Sequence, residues 1–102
     1  MNINIITNGP TATMTLSGKI DEQHAEVLKK NFYELNFSLL DHIILDFQHV
    51  SHIGSAGIGK LLLFYKDFAI KGGRISLKNV SKPLYDVFKV VKLDTLMDIN
   101  PA

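Results

Sequence analysis

The chain has 102 residues, 46% of them hydrophobic and 21% charged, which suits a single domain over residues 1–102 with one core and leaves no length for a second. Eleven Lys and Arg against ten Asp and Glu give a net charge of +1, too even a balance for a surface that tracks phosphates, so neither nucleic acid nor membrane insertion is expected. The absence of cysteine excludes disulfides, thiolate metal sites and a Cys nucleophile.

In chain order, apolar side chains recur about every second residue from Ile3 to Ile6 and from Ala12 to Leu16, and Asn8-Gly9-Pro10 supplies a turn between them. This predicts two antiparallel strands. Met1 to Gly9 lacks a basic segment followed by an apolar run, so it does not read as a signal peptide. Past Gly18 the period lengthens: Ala25, Leu28, Phe32 and Leu35 predict a first helix, with Asp21 as its N-cap. Ile43, Ile44, Leu45 and Phe47 then predict a central strand covered on both faces. Ile58, Leu61, Leu62, Tyr65, Phe68 and Ala69 form a second helical stripe, ended by Gly72 and Gly73. The longest apolar run, Leu61 to Tyr65, has five residues against the roughly 20 needed to cross a bilayer, and the expected compartment is cytoplasmic.

Arg74 to Lys78 predicts a short strand with Ile75 and Leu77 on one face. Ser81 can cap a third helix that tolerates Pro83 in its first turn and lines up Leu84, Val87, Phe88 and Val91. Leu93, Leu96, Met97 and Ile99 are left to cover the rest of the core. The order β-β-α-β-α-β-α predicts an α/β domain whose later strands lie parallel, joined by right-handed crossovers.

The segment His49 to Gly59 reads as a loop from the central strand into the second helix, the place where open α/β sheets expose helix N-termini. Ser55 falls at the expected helix start. One reading makes it an N-cap, with Gly54, Gly57 and Gly59 letting the helix approach the sheet. The other makes it a phosphoacceptor, because the helix dipole and free amides favour a dianion there. No catalytic residue is assigned. Ser55 with His52 has no orienting acid and no Gly-x-Ser-x-Gly pattern. Lys60 after Gly59 does not make a P-loop, and His49 with His52 lacks the further ligands a metal needs, so neither a metal nor another cofactor is expected.

The loop and the order of elements resemble the STAS domain, and within it the stand-alone bacterial anti-sigma factor antagonists. The resemblance is carried by Gly18-Lys19-Ile20-Asp21, by Leu45-Asp46-Phe47-Gln48-His49-Val50, by the run from Ser55 through Gly57, Leu61 and Leu62, and by Gly72-Gly73. It implies a mixed sheet of about four strands with three or four helices packed mainly on one face. The family's loop commonly reads Asp-Ser-Ser/Thr-Gly, and its phosphorylated serine falls on Ser55. Here Gly54 replaces the aspartate and Ala56 the second hydroxyl residue.

The resemblance implies a protein-binding switch rather than an enzyme. Its partners would be a serine kinase that is also the anti-sigma factor, of the ATP-binding histidine-kinase-like type, and a PP2C-like phosphatase. The expected partner-binding residues are Asp21, His52, Gly54, Ser55, Ala56, Gly57, Lys60 and Phe64, with Phe64 off the apolar stripe as an aromatic anchor. The alternative is a constitutive scaffold or accessory subunit, of a lipid transport machine or signalling complex, in which Ser55 is only a structural cap.

Overall fold

Gly9, at φ +60°, turns the chain through a two-residue connection, so that strand β1 (Asn2–Asn8) folds back antiparallel on β2 (Thr11–Ile20). The computed structural model describes residues 1–102. Helix α1 (Glu22–Tyr33) leads to β3 (His42–Ile53), α2 (Ser55–Phe64) with a π turn at Tyr65–Ala69 leads to β4 (Arg74–Val80), and α3 (Lys82–Val90) leads to β5 (Asp98–Pro101). The sheet order is β1-β2-β3-β4-β5, with every pair after the first hairpin parallel, as the strand–helix alternation requires.

The sheet has five strands where about four were expected. The fifth comes from the tail: Ile99 pairs opposite Leu77, while Leu93 and Met97 are buried before it. Four residues including a proline give too short a run for a period to show in the sequence.

The sheet is covered on one face only. Ala12, Met14 and Leu16 of β2, Ile43, Leu45 and Phe47 of β3, and Ile75 and Leu77 of β4 are buried beneath the helices. Their alternating neighbours Thr11, Thr13, Thr15, His42, Ile44 and Asp46 form a half-buried, mostly polar outer surface. The expectation that β3 is covered on both faces is therefore corrected. Ile44 is an apolar residue on the open side, and it made an alternating strand look continuous.

The helical stripe of α2 is also rotated from the expected one. Gly57, Leu61, Phe64 and Phe68 are the buried positions, while Leu62 is 43% exposed. In α3, Leu84 and Phe88 face inward, whereas Val87 and Val91 are exposed. Phe88 meets Phe47 edge-on at 5.8 Å between ring centroids, which fixes α3 over the middle of β3.

Candidate functional site

Two helices begin at the same edge of the sheet. In β2 and β3 the last paired residues are Lys19 with His52 and Ile20 with Ile53. Beyond them the Gly54 N–H donates to the Ile20 carbonyl at 2.9 Å. Asp21 and Gly54 follow directly as the N-caps of α1 and α2. Two register breaks in the β2–β3 pairing, each an extra residue on the β3 side, occur just before this edge and bend the end of β3.

Those breaks correct a boundary. His49 to Ile53 is strand rather than loop, and only Gly54 connects it to α2. Beyond Phe47 the buried positions fall at Val50 and Ile53, so the bulged strand loses the period of two by which a strand is recognised. His49 and His52 are exposed strand residues on this edge, and no cluster of three or more ligand-type side chains stands around them.

The two N-termini are finished differently. Asp21 accepts the backbone N–H of His24 at 2.9 Å, so α1 has a side-chain cap. That hydrogen bond, reinforced by the neighbouring His24 and Lys19, holds the Asp21 carboxyl below the usual carboxylate range. His24 Nδ1 lies 2.8 Å from the same carboxylate, close enough for attraction but not aligned as a hydrogen bond.

At α2 no side chain caps the start. The first intrahelical bond runs from the Ile58 N–H to the Gly54 carbonyl at 3.1 Å, so the N–H groups of Ser55, Ala56 and Gly57 lie ahead of it and lack helical acceptors. Ser55 is exposed and occupies the first helical position. The expected cap role is thereby corrected: the N-cap is Gly54, and the serine hydroxyl lies one residue too far along to serve as one.

The glycines separate in the same way. A Cβ on Gly57 would stand 2.7 Å from Ile53 Cγ1 and 2.8 Å from Ile20 Cγ2, so of these three positions this one alone demands glycine for close approach of helix to sheet. A Cβ on Gly54 would meet only the Ile20 carbonyl oxygen at 3.8 Å, and Gly59 faces open space. The expectation that all three glycines serve close approach holds for Gly57 and is corrected for the other two. Ala56 is half-buried against the core.

Lys60 and Phe64 do not form the exposed pair expected of them. The Lys60 ammonium lies 2.9 Å from Glu26 Oε1, joining α2 to α1, and this contact holds the Glu26 carboxyl below its ordinary range. Phe64 is fully buried, stacked on Phe32 with 3.8 Å between centroids and 7° between ring planes. It is a core residue, which corrects its assignment as a surface anchor. Leu61 to Tyr65 is apolar without a break, so the helical period fits two faces of α2, and stacking on Phe32 of α1 goes with the one that carries Phe64. The exposed apolar side chain of α2 is Leu62, which sequence reasoning placed in the core.

A second polar cluster lies on the open sheet face, and sequence reasoning did not single it out. His42 Nε2 and Ser76 Oγ are 2.7 Å apart, and Arg74 Nε donates to Asp98 Oδ2 at 2.6 Å. His42, Arg74 and Ser76 line a depression with Lys78, Asn79 and Asn100. Burial, together with the Arg74 and Lys78 charges, pushes the His42 imidazole below its usual value.

Comparison with known proteins fits this architecture. The STAS domain family model matches residues 2–102. The anti-sigma-B factor antagonist of Bacillus subtilis (strain 168) is 26% identical over 100 residues, covering 98% of this chain and 91% of that protein. Among solved structures, the phosphorylated form of the Bacillus cell fate determinant SpoIIAA superposes with a TM-score of 0.75 at 23% identity, covering 96% of this chain and 90% of that one. The unphosphorylated form of SpoIIAA gives the same TM-score of 0.75 at 20% identity, over 99% and 89% of the two chains. An anti-sigma factor antagonist from Mycobacterium paratuberculosis reaches 0.83 at 17% identity, over 99% of this chain and 86% of that one. With the family model spanning nearly its whole length and the fold following the same plan, the chain belongs to the STAS domain family.

Proposed function

We propose that the chain is a phosphorylatable anti-sigma factor antagonist, a switch that docks the α1–α2 edge on a serine kinase that is also an anti-sigma factor, and is released when that kinase phosphorylates Ser55. The observation that carries this reading is the exposed Ser55 side chain at the first position of an uncapped helix, where the protein's own structure makes no use of it as a cap. Asp21, His52 and Gly54 lie at the same edge, and Lys60 ties α2 to α1 through Glu26.

In the kinase the Ser55 oxygen attacks the terminal phosphoryl group of ATP, ADP leaves, and the hydroxyl proton passes to a base of the kinase. A phosphoryl group here carries about −1.5 to −2 charges and meets the free N–H groups and positive end of α2, which stabilise it within this chain. It also places a dianion in an interface formed around a neutral hydroxyl, and a loss of about 1.4 kcal/mol already lowers affinity tenfold. A PP2C-like phosphatase resets the switch. The ATP site belongs to the partner, so this chain supplies position and a nucleophilic oxygen.

The similarity to anti-sigma factor antagonists supports the reading, and the SpoIIAA fold accommodates both modification states. Calorimetry against the cognate kinase tests it. Ser55→Ala should bind persistently and Ser55→Glu at least tenfold more weakly. Equal affinities would remove the mechanism. Glycine at position 54, where the family resemblance sets an aspartate, favours a second reading in which docking is constitutive. Intact-mass analysis of protein from its own cells separates the two, since only the switch yields a fraction heavier by one phosphoryl group at Ser55.

A further inference from the structure

We propose that the free edge of β1 pairs with β1 of a second copy of this chain, antiparallel about a two-fold axis at Ile5, so that two sheets become one. The two edges of the sheet are built differently. At one end β5 has four residues, contains Pro101 and the charged Asp98, and has a register break against β4 between Leu77 and Val80. Each of these features discourages strand addition. At the other end β1 has seven residues, contains neither proline nor a charged side chain, and pairs with β2 without a break from Asn2–Ser17 to Asn8–Thr11.

The hydrogen-bonding phase suits self-pairing. Asn8 and Thr11 flank a two-residue turn and exchange bonds across it, so Asn2, Asn4, Ile6 and Asn8 aim their backbone groups at β2. Ile3, Ile5 and Thr7 aim theirs at the open edge. Antiparallel pairing centred on Ile5 sets Ile5 against Ile5 and Ile3 against Thr7 in both directions, using all three outward residues in about six backbone bonds.

Side chains agree with that register. Ile3 and Ile5 lie half-buried on the helix side of the sheet, packed on the core but short of full cover, and in the pair they would meet their counterparts. On the other face Asn2 meets Asn8 and Asn4 meets Ile6, which is 61% exposed in the single copy. No like charges face each other, because the strand has none. The axis stands perpendicular to the sheet, keeping the helices of both copies on one side. It also sends the two Ser55 edges to opposite ends, leaving both open for partners.

Sedimentation equilibrium on the full chain, from micromolar to millimolar, combined with residue-resolved amide exchange, tests this. The expected result is a mass that doubles with concentration while the amides of Ile3, Ile5 and Thr7 slow about tenfold or more, with those of Asn4 and Ile6 already protected at every concentration. Thr7→Pro removes an outward-facing donor and no bond to β2, so it should remain monomeric with an unchanged circular dichroism spectrum. A chain that stays monomeric to millimolar concentration would overturn the proposal. So would a dimer in which the amides of Ile3, Ile5 and Thr7 remain fast. The exchange measurement on the unmodified chain decides the matter even if the proline variant fails to fold.

Discussion

The starts of α1 and α2 lie side by side, tied by the Gly54–Ile20 hydrogen bond, yet one is closed by its own side chain and the other is open. At α1 the Asp21 carboxylate accepts the His24 N–H, so that start is capped by the protein's own side chain. At α2 the donors remain free and an exposed hydroxyl stands among them. The contrast teaches that a helix start can serve stability or recognition according to one residue at the cap: a carboxylate fills it, a glycine leaves it for something from outside.

The largest blow to that comparison would come from beneath it. Phe64→Ala removes the ring stacked on Phe32 and should cost about 3–5 kcal/mol in chemical denaturation, loosening both helices together. A cost near zero would show that the two starts are not held by a shared core. Next comes Gly57→Ala, whose new methyl collides with Ile53 and Ile20, for an expected loss of about 1–3 kcal/mol.

Acid titration addresses the closed start. The Asp21 carboxyl is held below its ordinary value by the His24 N–H, so folding favours its ionised form. The stability this gives is complete above the unfolded pKa, about 3.9, and disappears as pH falls through the lower folded value. Asp21→Ala should therefore flatten the acid limb of the stability curve and lower Tm by a few degrees at neutral pH. An unchanged acid limb would count against the cap.

The smallest effects sharpen the open start. Gly54→Asp has room for its side chain and should add a few tenths of a kcal/mol by closing α2 as α1 is closed. Ser55→Ala should stay within about 0.5 kcal/mol of the original, since no cap is lost. A larger drop from Ser55→Ala, read in the same denaturation series, would return the serine to a structural role.

Much of this architecture was legible because each element carries its own pattern. The Asn8-Gly9-Pro10 turn, the Ala25–Leu28–Phe32 stripe and the Asp21 cap are local features, and they appear where the sequence places them. Position Ser55 was legible through the resemblance, and its backbone setting through the strand-to-helix change. What the sequence hid depends on contacts between elements. Phe64 faces inward, stacked on Phe32 of a neighbouring helix, and Leu62 is left outside by the same rotation. His49 to Ile53 looked like a loop because bulges replace alternation there. β5 exists only because β4 offers it an edge.

The Gly54–Ile20 bond and the tight seat of Gly57 have one more implication. A hydroxyl mounted on backbone so firmly anchored has little freedom to swing when its chemistry changes, so a modification there alters potential far more than shape. A partner would then sense it as an electric field, and the difference between the two states should shrink as added salt shortens the Debye length from about 10 Å at 0.1 M to about 3 Å at 1 M.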